Sequence, residues 1–338
     1  MKQVKEYYEK IMLHYLRNPG EQQLYAGQQL SKSLIEKDIP PEDILALHIS
    51  IMKEHDYILP VEWDRSFEFL MEIMVSFGMA YQERQSLRLK KKQLESEINV
   101  AISMQKKLYP DAFAHDFHDL DVGFISTPAR EMSGDFYYFT KHGENKLGIL
   151  VADIVGKGIP AALCMSMIKY AMDTLENDVK PANMILEYLN RLVLKNADPS
   201  LFVTMFYTIY DPLTSILTYS SAGHEPALYY HSHTKSCEDL NAKGLILGVD
   251  PNVKYEEKSI LLEEGDFIVL YTDGVTERKS SDAPDDNSML REALATADLT
   301  LSSQEIVHHM YQYAIKEKDY QLDDDHTIVM VRKKRSDL

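Results

Sequence analysis

Apolar residues in the first 82 positions recur at spacings of three and four: Val4, Tyr7, Tyr8, Ile11, Met12, Tyr15; then Leu24, Leu30, Leu34; then Ile44, Leu47, Ile51; then Phe67, Leu70, Met71, Met74. That is the period of a helix with one apolar face. Breaks fall at Asn18-Pro19-Gly20, at Pro40-Pro41 and at Pro60. Pro41 followed by Glu42-Asp43 makes a good helix start, because proline tolerates the first turn and acids favour it. The pattern predicts a helical bundle over residues 1–82.

Residues 83–110 continue the last helix in polar form, and Pro110 is expected to end it. Leu87, Leu94, Ala101 and Leu108 recur every seven residues. The companion seam holds Lys91, Ile98 and Gln105, or Lys90, Glu97 and Met104 at the other offset. A coiled coil needs both seams apolar, so this is a marginal linker helix that a partner could stabilise.

From about residue 118 the period changes. Strand-like runs fall at 121–126, 134–140, 146–152, 201–210, 215–220, 226–230, 266–272 and 326–332. Helical stretches fall at 159–176, 181–197, 286–297 and 302–317, two of them opened by Pro160 and Pro181. Strands and helices in separate blocks predict an α+β domain over 118–333 rather than alternating βαβ units. The polar stretch 279–288 reads as a mobile loop.

Composition narrows the classes. At 338 residues the chain suggests two domains, and 45% hydrophobic residues are enough for a sizeable core. A net charge of −17 repels nucleic acid and anionic membrane, so neither is an expected partner. The only cysteines, Cys164 and Cys237, make no disulfide framework, which fits a cytoplasmic protein. No signal-like apolar segment opens the chain, and no run is long enough to span a bilayer.

The chemistry lies in four aspartates, each in a small-residue motif. They are Asp135 in Ser-Gly-Asp-Phe-Tyr, Asp153 in Ala-Asp-Ile-Val-Gly-Lys-Gly, Asp273 in Tyr-Thr-Asp-Gly-Val-Thr-Glu, and Asp324 in Asp-Asp-Asp-His-Thr. All lie at or beside the ends of predicted strands. Carboxylates gathered there repel, each close pair by about 4 kcal/mol at an effective dielectric of about 20. A divalent cation relieves that repulsion, and oxygen-only ligands suit Mg²⁺ or Mn²⁺. The pattern therefore points to a metal-assisted hydrolase. A covalent aspartyl-phosphate route needs Asp-x-Asp at a strand end, and Tyr271 stands two residues before Asp273. Turn aspartates in unrelated loops would explain any one of the four motifs, but four together favour a shared site.

Ser-Gly-Asp-Phe-Tyr, Ala-Asp-Ile-Val-Gly-Lys-Gly-Ile-Pro-Ala-Ala, Ser-Ala-Gly-His-Glu-Pro, Thr-Asp-Gly-Val-Thr-Glu and Asp-Asp-x-Thr occur in that order. The set resembles the bacterial branch of the metal-dependent serine/threonine protein phosphatases, the type 2C superfamily, over about 120–332. The helical part resembles that family's stress-response members, on Leu24-Tyr25-Ala26, Ile39-Pro40-Pro41-Glu42 and Tyr81-Gln82-Glu83. The resemblance implies an α-β-β-α sandwich that holds two divalent cations, Mn²⁺ or Mg²⁺. By the same resemblance Asp153 bridges them, Asp273 and Asp324 complete one site, and Asp135 with the Ile154 carbonyl serves the other. Asp325 would sit beside the site. Arg130 would grip the phosphate, which a bidentate guanidinium suits; the plainer reading is a surface arginine.

The implied substrate is a phosphorylated anti-sigma factor antagonist, and the implied activator is a kinase-like switch protein bound to a homodimeric N-terminal domain. The chain departs from many eukaryotic members in having Val155 two residues after the bridging aspartate, where they carry histidine. The sequence therefore names no proton donor for the leaving serine. His224 could replace it or could be a structural histidine in a tight turn. Two other readings stand: an interaction protein with an inactive phosphatase fold, and a metal hydrolase of small phosphoesters.

Overall fold

The computed structural model describes residues 2–335 apart from 38, 56–60, 111–116, 144, 157, 176–179, 199, 278–286, 319 and 321. Pro60, Lys157 and most of the expected 279–288 loop lie outside the described residues. The chain forms two compact units, Met1–Glu97 and Ile98–Leu338.

The first unit is helical. α1 (Lys2–Arg17), α2 (Glu21–Glu36) and α3 (Pro41–Glu54) precede α4 (Val61–Lys106). Pro19-Gly20 separates α1 from α2, and Pro41 opens α3 with Glu42 and Asp43 in its first turn. Val4, Met12, Leu30, Leu34, Leu47 and Ile51 form its buried cluster. These are the periodic positions of the sequence.

α4 runs unbroken for 46 residues and passes the boundary between the units. Its seam residues Leu87 and Leu94 are more than half exposed. The helix stops at Lys106, four positions before the expected Pro110. The reason lies in the second unit, where Leu108 turns onto the core and Gln105 is captured by Ser133.

The second unit is a four-layer α-β-β-α sandwich. Its strands are β1 (Leu120–Thr127), β2 (Asp135–His142), β3 (Lys146–Val155), β4 (Phe202–Asp211), β5 (Ile216–Ala222), β6 (Ala227–His231), β7 (Ser236–Leu240), β8 (Glu257–Leu261), β9 (Phe267–Tyr271) and β10 (His326–Lys333). One antiparallel sheet has the order β1-β10-β9-β6-β7, the other β2-β3-β4-β5-β8. Side-chain alternation fixes the layers. Along β3, Leu147, Ile149 and Val151 face the other sheet, whereas Leu150, Ala152 and Ile154 face α5 (Ile159–Thr174) and α6 (Ala182–Asn196). Along β10, Val329 and Val331 face inward, and Ile328 and Met330 pack on α8 (Ser288–Thr296) and α9 (Ser303–Glu317). Ser302 and Glu305 close a capping box at the start of α9.

Three short elements escape the sequence pattern. β7 (SCEDL) and β8 (EKSIL) are edge strands with mostly exposed side chains, so no apolar alternation marks them. α7 (Asp273–Thr276) is a single turn.

Candidate active site

Asp135 opens β2 and pairs in register with Asp153 on β3, which in turn pairs with Thr204 on β4. Antiparallel pairing thus sets two carboxylates side by side at one end of the sheet. Gly134 makes room for them. A Cβ there would lie 3.0 Å from the Ile154 carbonyl oxygen and 3.3 Å from an Asp153 carboxylate oxygen. Any larger residue at 134 would fill the space onto which these two oxygens open.

Asp135 is 2% exposed, and burial raises its carboxyl pKa well above the ordinary value, with the Asp153 charge adding to the rise. The Thr272 hydroxyl opposes this by donating to Asp135 Oδ2 at 2.7 Å, while it accepts the Thr327 N–H at 3.0 Å. Thr272 therefore ties β9 and β10 of one sheet to β2 of the other. Tyr109 donates to the Asp135 carbonyl at 2.7 Å.

Asp273 follows immediately as the first residue of α7. Gly274 lies flush on the Asp325 carbonyl with no space for a side chain, which brings Asp273 beside the segment carrying Asp324. Asp323 is exposed, Asp324 is half-buried and Asp325 is buried. The carboxylate of Asp325 accepts the N–H of Ala129 at 2.7 Å and of Gly134 at 2.5 Å. It thereby pins both ends of the turn that bears Arg130, whose own side chain is exposed.

A lysine adds positive charge to this acidic region. Lys318, just past α9, donates to the Gly274 carbonyl. Burial lowers its pKa, and Glu277, Asp323, Asp273 and Asp324 pull it back up. Thr272 stands inside a sequence motif, but nothing in the sequence marks Lys318, Thr204 or Gln105 as part of the site; those three arrive only through folding.

Among the described residues no three His, Cys, Asp or Glu side chains are drawn in far enough to hold a metal ion as placed. The donor set nevertheless fits hard cations. Asp135 and Asp153 pair beside the Ile154 carbonyl, Asp273 and Asp324 lie on segments that Gly274 packs together, and every one of these donors is oxygen.

His224, the candidate substitute for the missing proton donor, is turned inward. Its Nδ1 lies 2.8 Å from the Thr204 hydroxyl and its Nε2 lies 3.0 Å from the Tyr271 carbonyl.

Solved structures of PP2C phosphatases share this four-layer sandwich. The PP2C phosphatase domain with a fragment of the regulatory domain of SpoIIE from Bacillus subtilis matches with a TM-score of 0.56 at 21% identity, covering 63% of each chain. The RsbU and RsbW domains of Rv1364c from Mycobacterium tuberculosis match with a TM-score of 0.55 at 22% identity, covering 65% of this chain and 61% of that one. Residues 143–334 match the family model of stage II sporulation protein E, and residues 6–80 match that of the phosphoserine phosphatase RsbU N-terminal domain. Phosphoserine phosphatase RsbU of Bacillus subtilis is 42% identical over 336 residues, 98% of each chain. The chain belongs to the RsbU family of PP2C-type serine phosphatases.

Proposed function

We propose that the chain hydrolyses phosphoserine on a protein, with two Mn²⁺ or Mg²⁺ ions held by Asp135, Asp153, the Ile154 carbonyl, Asp273 and Asp324. The observation that carries this is the paired register of Asp135 and Asp153 beneath the opening left by Gly134. The cations, when bound, supply a water that ionises near neutral pH and offset the charge of the phosphoryl group. The chain's own residues supply the rest. Asp153 would help to hold both cations, and its register partner Asp135 is aimed by Thr272. Arg130, on the turn held by Asp325, grips the phosphate oxygens. Water displaces the serine oxygen at phosphorus, and that oxygen leaves with a proton. Val155 cannot give one, but it is 48% exposed, so solvent reaches that position and provides it.

The substrate is a phosphorylated anti-sigma factor antagonist, and a kinase-like switch protein activates the enzyme through a dimeric helical unit. Similarity to RsbU along nearly the whole chain supports this reading. The protein acts in the cytoplasm. Among the described residues no helix is long and apolar enough to cross a membrane.

The test is Mn²⁺-dependent phosphate release from a phosphoserine protein, with a small aryl phosphate alongside. Asp153→Asn is expected to lose at least one decade of turnover, about 1.4 kcal/mol of barrier, while staying folded. A folded variant that keeps more than a tenth of wild-type turnover sinks the assignment. Turnover of the aryl phosphate alone would point to a small-molecule hydrolase instead.

A further inference from the structure

The two halves of the candidate metal centre sit on different sheets. Asp135 and Asp153 belong to the β2-β3-β4 sheet, and Asp273 and Asp324 flank β9 and β10 of the other. Thr272 ties the sheets on the Asp135 side, which leaves the spacing between Asp153 and the Asp273 strand end to another contact. We propose that His224 is a positioning residue for the metal centre, acting as a clasp between Thr204 on one sheet and Tyr271 on the other. The inference rests on the metal-site reading above.

The hydrogen-bonding chemistry leaves one arrangement. The Tyr271 carbonyl can only accept, so His224 Nε2 carries the proton and donates to it at 3.0 Å. Nδ1 is then bare and accepts from the Thr204 hydroxyl at 2.8 Å. Burial supports this neutral form by lowering the imidazole pKa to about 4. Both partners stand next to proposed ligands. Thr204 is the cross-strand neighbour of Asp153, and Tyr271 lies two residues before Asp273.

The turn that carries the ring is itself fixed. Gly223 has a φ of 65°, and a Cβ there would sit 2.5 Å from Ile246 Cγ2. The His224 N–H donates to Ser221 Oγ at 3.2 Å. With its backbone held and both nitrogens occupied, the imidazole can neither swing out nor shuttle a proton. Its available work is to hold the Asp273 strand end at one distance from Asp153. That is the arrangement by which groups behind a ligand tune metal affinity.

Calorimetric titration of the full chain with Mn²⁺ tests this, on wild type, Thr204→Val, His224→Asn and the double variant. Thr204→Val removes one arm of the clasp while nearly preserving shape and touching no proposed ligand. Each single variant is expected to bind Mn²⁺ about 10- to 100-fold more weakly. The double variant should be no weaker than His224→Asn, because the two residues act as one unit. The Mn²⁺ concentration that gives half-maximal hydrolysis should rise in step, with turnover at saturating Mn²⁺ largely restored. Folded Thr204→Val with wild-type Mn²⁺ affinity overturns the clasp, even where His224→Asn fails to fold. Wild-type protein that binds no Mn²⁺ overturns the metal-site reading and the clasp with it.

Discussion

Adjacent aspartates in one motif do different work. Asp325 spends its carboxylate on two backbone N–H groups, those of Ala129 and Gly134. Asp324 is less buried, and its Oδ1 accepts the Asp325 N–H at 2.9 Å. Truncating Asp325 to Ala should leave those two N–H groups without their acceptor, at about 1–3 kcal/mol for each one that stays buried. Asp324→Asn, by contrast, should leave the melting temperature near wild type and stop turnover. Calorimetry together with phosphate release separates the two. A stable Asp325→Ala with dead chemistry, beside an active Asp324→Asn, would reverse the roles.

His326 gives a second residue-scale expectation. It is fully buried, its Nδ1 has no hydrogen-bond partner among the described residues, and burial lowers its pKa from 6.5 to about 4. Between those values the unfolded chain binds the proton and the folded chain does not, so stability falls as pH drops through that window. From pH 7 to pH 5 this histidine alone should cost about 2 kcal/mol. Asp135, with its raised pKa, pulls in the opposite direction, so the comparison must be with His326→Gln, in which the acid-side loss should shrink by that amount. Urea unfolding at the two pH values measures it; identical pH dependence in both proteins would refute it.

At the scale of elements, α4 carries two messages that the heptad pattern blends. Lys91 lies on its exposed part and makes an i,i+4 contact with Glu95 at 3.7 Å. Gln105, at the same heptad offset, is 5% exposed and brackets Ser133, accepting its N–H at 3.2 Å and donating to its carbonyl at 2.7 Å. Ser133 Oγ in turn accepts the Asp135 N–H at 3.1 Å. Read as a heptad, both residues spoil the seam and both invite leucine. The structure divides them. Lys91→Leu should raise helicity and self-association of the α4 segment. Gln105→Leu should release Ser133-Gly134-Asp135 and lower turnover at least tenfold, a loss of about 1.4 kcal/mol. Circular dichroism, light scattering and phosphate release on the two single variants check this. Higher activity in Gln105→Leu would mean that the amide restrains the site instead of building it.

For the whole molecule, the two units differ in how much they bury. Among the described residues the helical unit encloses one small apolar cluster, whereas the sandwich encloses three larger ones. A small core leaves little margin over chain entropy, which association with a second copy can supply. Calorimetry of the full chain should therefore show two transitions. The lower belongs to the helical unit and should move up as protein concentration rises from about one to about a hundred micromolar, since each hundredfold change in a bound partner is worth about 2.7 kcal/mol. A single transition that ignores concentration would count against both the independent unit and its dimer.

By itself the sequence determined the helical period of the first unit, eight of the ten strands, four main helices of the sandwich and the four acidic motifs. These are local properties. Val-Ile-Leu runs along β3 and β10 are buried on both faces, so they stand out without any knowledge of partners. The edge strands β7 and β8 did not stand out, because an edge that must stay unpaired in water is written in polar residues. Only the tertiary structure decided which motif residues meet and what holds them. Lys318 reaches Gly274, Gln105 reaches Ser133, and His224 joins Thr204 to Tyr271 across separations in the chain that no period encodes. Such contacts depend on two sheets packing face to face, and a hydrogen bond made at that depth is specified by the whole fold and not by the residues on either side of it.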